Sequence, residues 1–200
     1  HDFAWVANPS FKEMLADAGG TRIRLLYQAA HEDRKDRFMK AGVAAVEDFG
    51  RRFGPYAYPQ LTVVDVPPDG GSGMEYPTLV TVSATDPPLP GLLMEEQVTI
   101  HEIAHQWWYG MVASNEFEEA WLDEGFATYS TRTLVDRLYG ETRSMGDFFG
   151  IQVGQLAVDR SSYLAAHPGA GAEDLLVHAL PPAQTAITVF VALCSILLLP

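Results

Sequence analysis

The chain has 200 residues, of which 48% are hydrophobic and 20% charged, a composition typical of one folded globular domain. Its formal net charge is −13, from 13 basic and 26 acidic side chains. Nucleic acids and anionic membrane surfaces both attract basic proteins, so this charge argues against either as a partner.

The negative charge is concentrated in the middle of the chain. Residues 61–131 contain 12 Asp and Glu side chains and no Lys or Arg. Such a segment forms either an ordinary solvated acidic face or a site for cations, namely a metal ion or an ammonium group.

The first half of the chain predicts strands and one long helix. Alternating apolar residues predict a strand within Thr21–Ala29, and a helix is expected from residues 31–33 to about Phe53. Gly54-Pro55 would end that helix. The apolar stripe of the helix consists of Phe38, Ala45, Val46, Phe49 and Phe53.

Two further strands and two loops follow. Leu61–Val66 and Pro77–Ser83 are rich in residues that favour strands. Pro67–Gly73 and Asp86–Gly91 have the Pro and Gly content of loops.

Two helices are predicted next. The first runs from about Leu93 to Tyr109 and would end at Gly110. The second would start at Asn115, whose side chain can cap free amides, with Glu118 completing a capping box. It would end at Tyr139, before Gly140.

The two ends of the chain differ from its middle. The chain starts at His1 with no visible signal peptide, so a piece of a longer polypeptide is expected. Leu175–Pro200 contains no charged side chain, and as a helix its 14-residue apolar part would span about 21 Å, less than a bilayer core. A buried element, a truncated membrane anchor and a sequence artefact all remain open. We therefore expect one folded domain over residues 1–174 and a separate tail over 175–200.

The helix predicted from about Leu93 to Tyr109 carries His101-Glu102-Ile103-Ala104-His105. Histidines four residues apart project from one helix face, so both imidazoles can bind one ion, and Zn²⁺ prefers such ligands. A catalytic zinc needs a third protein ligand, and Glu124 on the next helix is the candidate. Its apolar surroundings make a carboxylate costly without a partner, which one zinc ion per chain would provide.

Glu102 has a different role in this interpretation, because it cannot easily bind the same ion as both histidines. It can reach a water molecule activated by the metal, and it would act there as general base and then pass the proton to a leaving amine. The pattern therefore predicts metal-assisted hydrolysis of an amide.

Two sequence blocks, HEIAHQWWY from His101 and WLDEGFA from Trp121, together resemble the aminopeptidase N family of gluzincin zinc metallopeptidases. Upstream, Gly73-Met74-Glu75-Tyr76-Pro77 is similar to the exopeptidase motif of that family, G-x-M-E-N. Tyr76 stands in place of the Asn, and Ser72 stands in place of the opening Gly. The opening residues 1–5 also look like the join between two domains of the family. The resemblance extends to about residue 167.

The resemblance implies an α+β fold like the thermolysin catalytic domain, with a small mixed sheet packed on helices. It implies that Glu75 binds the free α-amino group of a peptide substrate and that Gly73 and Met74 line the pocket for its first residue. Removal of N-terminal residues follows as the expected activity. The resemblance also slightly favours an extracytoplasmic or membrane-associated location, with membrane association itself left open.

Three more residues near the motifs have structural interpretations. Trp107 and Trp108 are expected to pack the helix. Asp123 either orients a ligand histidine or is an exposed acid.

Two alternatives to aminopeptidase activity remain open from the sequence. One is an endopeptidase on the same zinc scaffold. The other is an inactive zinc-binding fragment, because the family places an oxyanion-stabilising Tyr well downstream of the third ligand and the last tyrosine here is Tyr163.

Overall fold

The computed structural model describes residues 3–67, 73–87, 89, 91–148, 150–155, 158, 161 and 165. The predicted tail over 175–200, Tyr163 and most of the loop predicted at Pro67–Gly73 lie outside these residues.

A five-stranded mixed sheet forms one layer, in the order β1-β2-β3-β5-β4. Its strands are β1 (Lys12–Ala18), β2 (Thr21–Tyr27), β3 (Gln60–Val66), β4 (Gly73–Met74) and β5 (Leu79–Ser83). The central pairs β2-β3 and β3-β5 are parallel, whereas the edge strands β1 and β4 are antiparallel to their neighbours. A separate two-stranded sheet pairs β6 (Gly146–Phe148) with β7 (Ile151–Val153). The expected mixed sheet on helices is confirmed.

The helices whose full bounds lie within the described residues are α1 (Lys35–Phe53), α2 (Met94–Ala104), α3 (Glu116–Glu119) and α4 (Glu124–Tyr139), with short 3₁₀ turns at Ala29–His31 and Ala120–Leu122. In the predicted stripe of α1, Phe38, Ala45, Val46 and Phe49 are buried, and Phe53 packs against them. Gly54, with φ of 107°, ends α1 as predicted. Within the described ranges, no helix has the length and apolar content needed to cross a membrane.

The predicted strands at Leu61–Val66 and Pro77–Ser83 are confirmed as β3 and β5. Two other strands, β1 and β4, differ from the prediction. Residues 12–18 form β1, although no strand is predicted there, and Gly73 lies in β4 rather than in a loop. Pairing with β5 explains the second difference, because a neighbouring edge imposes strand geometry on glycine.

The prediction that the helix starting at about Leu93, observed as α2, continues to Tyr109 is wrong. The helix ends at Ala104, and the amides of Gln106 and Trp107 bond to carbonyls three residues back, which tightens the chain. Tyr109 then has a φ of 91°, outside the helical region. Gly110 therefore follows an irregular turn, not a helix end.

The single helix predicted from Asn115 is instead divided into α3, a 3₁₀ turn and α4. The backbone leaves the helical region at Glu119, and α4 begins only at Glu124. The side chain of Asn115 makes no capping hydrogen bond, so the predicted capping box is wrong. A tertiary contact overrides the local pattern, because buried Asp123 bonds to His105 and fixes the chain where α4 starts. Gly140 ends α4 as predicted.

Candidate metal and peptide site

The site lies where α2 meets the start of α4. His101 is on the last turn of α2, His105 is the residue that caps its end, and Glu124 opens α4. Both histidines are buried, with exposed fractions of 5% and 1%. Although α2 is shorter than predicted, the i, i+4 spacing keeps the two imidazoles on one face.

Three potential ligand atoms converge at this point. His101 Nε2 lies 3.1 Å from His105 Nε2 and 3.1 Å from Glu124 Oε2. The remaining edge of the triangle, from His105 Nε2 to Glu124 Oε2, is 3.7 Å. The predicted ligand set of His101, His105 and Glu124 is therefore brought together as one group that could hold a metal ion.

The protonation of these groups follows from burial and from their neighbours. Burial lowers the pKa of His101 and so favours the neutral imidazole that metals bind. Burial opposes charge on His105 as well, but the carboxylates of Asp123 and Glu124 outweigh it and raise its pKa. Burial would raise the pKa of Glu124, yet the two imidazoles lower it well below its usual range.

Asp123 orients His105. The carboxylate Oδ1 lies 2.5 Å from His105 Nδ1, and both side chains are fully buried. Because Nδ1 is engaged by the carboxylate, the opposite nitrogen, Nε2, is turned toward the ligand triangle. Of the two interpretations the sequence allowed for Asp123, the structure supports the orienting one.

Glu102 is 4% exposed, and its surroundings contain further acids. Burial raises its pKa to about 8; His105 lowers it, whereas Glu75, Glu124 and Asp123 raise it further. A bound cation would oppose this shift, because positive charge stabilises the carboxylate.

Gly73 lies directly against Glu102. A Cβ atom at Gly73 would overlap the Glu102 carboxylate and lie only 2.7 Å from its Cγ. A side chain at position 73 would therefore require the carboxylate of Glu102 to move.

Glu75 lies in the same cleft as the metal group. One ligand atom each from Glu75, His105 and Asp123 lie within 4.8 Å of one another. Burial raises the pKa of Glu75, whereas His105 lowers it. A small cavity beside it, of about 70 Å³, is lined by Met74, Glu75, Tyr76, Tyr109 and Glu116. Of the three residues expected around the substrate's first position, Gly73 and Glu75 thus border the candidate metal site, and Met74 lines the cavity beside Glu75.

The two tryptophans have the expected packing roles. Trp107 is buried and donates from Nε1 to the carbonyl of Gly54, while Trp108 donates to Ser130 Oγ on α4. Sequence reasoning assigned no role to Gln106, which lies between His105 and Trp107 and contacts the segment that carries Glu75. A buried amide beside a candidate metal ligand gives no pattern in the sequence, so only the folded structure identifies it.

Comparison with known proteins agrees with this geometry. The family model described as the Peptidase family M1 domain matches residues 39–169. The chain belongs to peptidase family M1. This is a family of metallopeptidases that is zinc-dependent in general, so the resemblance drawn from the two motif blocks is confirmed.

Several M1 proteins are similar to parts of this chain. Aminopeptidase M1-B of Oryza sativa subsp. japonica is 29% identical over 148 residues, covering 70% of this chain and 17% of its own length. Tricorn protease-interacting factor F2 of Thermoplasma volcanium is 30% identical over 155 residues, covering 72% and 19%. The leukotriene A-4 hydrolase of Xenopus laevis is 38% identical over 89 residues, covering 44% and 14%. The chain therefore spans less than a fifth of these M1 relatives.

One solved M1-type fold is also similar. The crystal structure of Legionella pneumophila aminopeptidase A in complex with aspartic acid superposes with a TM-score of 0.58 at 17% identity. The match covers 66% of this chain and 17% of that one. At this identity the similarity concerns the fold alone.

Proposed function

We propose that this M1 chain is the catalytic core of a zinc-dependent aminopeptidase, which removes residues from the N-terminus of peptides. The observation that carries the proposal is the ligand triangle of His101, His105 and Glu124, with Glu102 and Glu75 in the same cleft. Peptides with a free N-terminus are the substrates. Within the fold, we infer the thermolysin-like arrangement from the pair of helices that supplies the ligands.

The donor set fits Zn²⁺. In a tetrahedral zinc site, ligand atoms about 2.05 Å from the metal lie about 3.3 Å from one another. The three edges of the triangle, 3.1, 3.1 and 3.7 Å, are close to that value. Two imidazoles and one carboxylate also match the ligand types of catalytic zinc, and such a set leaves a fourth position for water or substrate.

Zinc in this site supplies a Lewis acid, which polarises the scissile carbonyl and lowers the pKa of a water molecule. Glu102 accepts the proton of the attacking water and returns it to the leaving amine. Its buried position favours the first step, because burial makes the protonated carboxyl more stable than it is in water.

Glu75 determines which bond is cut. Its half-buried carboxylate pairs with the α-ammonium group of the substrate, so only the first peptide bond reaches the metal and Glu102. Gly73 and Met74, on edge strand β4, border the first residue of the substrate. The segment over residues 61–131 contains 12 acidic side chains and no Lys or Arg, so it adds a negative electrostatic field that favours the cationic end of the peptide.

The test begins with metal content and substrate class in the intact protein. We expect one zinc per chain, loss of that zinc in His101→Ala, and hydrolysis of aminoacyl anilides. His31→Gln is the matched control, since His31 is also buried and paired with a carboxylate, 2.7 Å from Asp65, but lies outside the site. It should keep the zinc.

Other results would separate the alternatives. Cleavage of an N-terminally blocked, internally quenched peptide without activity on anilides would indicate an endopeptidase. Full zinc occupancy without turnover of either substrate would indicate an inactive zinc-binding chain. Zinc well below one per chain in unchelated protein would contradict the metal site itself.

A further inference from the structure

Gln106 connects the end of the metal-binding helix to the segment that carries Glu75. It follows His105 directly and is only 2% exposed. Its Nε2 donates to the carbonyl oxygens of Glu75 and Tyr76, each at 3.2 Å. Its Oε1 accepts from the backbone amide of Thr78 at 2.9 Å and from the hydroxyl of Tyr56 at 3.1 Å. One buried side chain thus holds three backbone groups of residues 73–78, which we call the motif segment.

The orientation of this amide is determined by its partners. The carbonyls of Glu75 and Tyr76 can only accept, so they must face the NH₂ group. The backbone amide of Thr78 can only donate, so it must face the oxygen. No other residue type of similar size offers two donors and an acceptor in this arrangement, so the contact is specific for glutamine.

The backbone of the motif segment needs such support. Thr78 has a φ of 64°, an unfavourable conformation for a β-branched residue. It is held from two sides, since its amide donates to Gln106 and its carbonyl accepts from Thr62 on β3. Without Gln106, the motif segment would keep the β4-β5 pairing at one end and the backbone bonds of Tyr76 and Thr78 at the other. It would lose its attachment to the helix that carries the candidate metal ligands, so the carbonyl of Glu75 could shift relative to them.

We propose that Gln106 is a positioning residue that fixes the distance between the amine-binding Glu75 and the metal ligands. It acts through the backbone of the motif segment and does not touch substrate. The distance matters because an aminopeptidase measures one residue between the α-amine and the scissile carbonyl. This inference rests on the proposed function, in which Glu75 binds the amine and the triangle binds zinc.

The experiment measures amine recognition separately from metal binding, in the intact zinc-loaded protein. The probes are leucine hydroxamate and its des-amino analogue, 4-methylpentanoyl hydroxamate. Both bind zinc through the hydroxamate, so the ratio of their dissociation constants reports the contribution of the α-amine alone. Turnover is not required for this measurement.

Three variants define the expected result. Gln106→Met keeps the size of the side chain but removes all four hydrogen bonds. We expect the Kd of the des-amino hydroxamate divided by the Kd of leucine hydroxamate to fall about 10- to 100-fold, with one zinc per chain retained. Gln106→Glu keeps the acceptor toward Thr78 and loses both donors, so it should show a similar fall. The matched control is Ser130→Ala, which removes the 2.9 Å hydrogen bond that Trp108 Nε1 donates to the buried hydroxyl of Ser130. This bond joins Trp108 to α4 and not to the motif segment. It should keep the wild-type ratio.

The positioning role makes a kinetic prediction as well. For an aminoacyl anilide, KM should rise more than kcat falls, because the amine contact weakens before the chemistry does. A merely structural role would lower the melting temperature and weaken both hydroxamates equally.

Each failure has its own signature. A wild-type protein that binds the two hydroxamates equally contradicts Glu75 as amine anchor, and with it the proposed function. A wild-type preference for the amine that survives in both Gln106 variants overturns only the positioning role. Should Gln106→Met not fold, Gln106→Glu decides between these results.

Discussion

Helix α2 buries apolar side chains on one side, which we call the apolar side, and ionisable side chains on the other, which we call the polar side. Toward the sheet and α1, Ile100 and Ile103 are fully buried in the apolar core. Toward the cleft, His101, Glu102 and His105 are equally buried, yet each is ionisable. The same depth of burial therefore stabilises the fold on the apolar side, whereas on the polar side it disfavours the charged forms of the side chains and shifts their pKa values.

This difference determines what a substitution can do. A smaller apolar residue leaves a cavity, and the free energy of unfolding decreases while the cleft keeps its chemistry. A changed polar residue in the cleft alters proton transfer or metal binding with little effect on the core. The predictions below separate the two sides.

The largest effect is expected on the polar side, at Glu102. Glu102→Gln keeps the size but cannot accept a proton, so kcat should fall about 10²- to 10⁴-fold with zinc content unchanged. Glu96→Gln is the matched control, because Glu96 is a buried acid of the same helix that pairs with Arg37 outside the cleft. Steady-state kinetics with an aminoacyl anilide measure both. Equal loss in both variants would mean that the proton-transfer role is wrong.

On the apolar side, Ile103→Ala should lower the free energy of unfolding by about 2–5 kcal/mol. Ile103 is fully buried, and its Cδ1 lies 3.6 Å from where a Cβ of Gly42 on α1 would stand. Urea denaturation measures the loss, and Ile103→Val should lose only about 0.5–1.5 kcal/mol. Zinc content should stay at one per chain in the folded variant. A loss of zinc without a loss of stability would reverse the comparison between the two sides.

Gly73 tests the contact between the motif segment and the cleft. In Gly73→Ala the new methyl group must displace the carboxylate of Glu102, so we expect kcat to fall about 10- to 100-fold. The matched control is Gly50→Ala on α1, where a Cβ meets nothing within 4 Å. That variant should keep wild-type kinetics. Wild-type kcat in Gly73→Ala would show that Glu102 can move without loss of function.

The apolar side was largely predictable from the sequence. The stripe of α1, its end at Gly54 and strands β3 and β5 follow from hydrophobic periodicity and from glycine and proline. Strand β1 was not predictable, because it is a half-exposed edge strand in which Lys12 and the exposed Leu15 break the alternation of apolar and polar residues.

The polar side was predictable in its motifs but not in its local geometry. The spacing of His101, His105 and Glu124 anticipated the triangle, because the i, i+4 relation survives even at the end of a helix. The early end of α2 and the division before α4 depend on the bond between His105 and Asp123, which joins residues distant in sequence. Gln106 likewise acts only through tertiary contacts.

The smallest effect concerns the long-range field of the cleft. With no Lys or Arg over residues 61–131, the cleft should attract a cationic substrate end, and added salt should weaken that attraction. Between about 0.01 and 0.15 M salt the Debye length shortens from about 30 to about 8 Å. We therefore expect kcat/KM for a leucine anilide to fall a few-fold over this range, with kcat constant.

Two comparisons make the salt effect specific. A lysine anilide carries one more positive charge, so its kcat/KM should fall more steeply with salt than that of the leucine anilide. Glu116→Gln removes a carboxylate from the cavity that Glu75 lines and should reduce both slopes. A kcat/KM independent of salt for both substrates would mean that the acidic segment is a solvated face. The polar side would then act only through its short-range contacts.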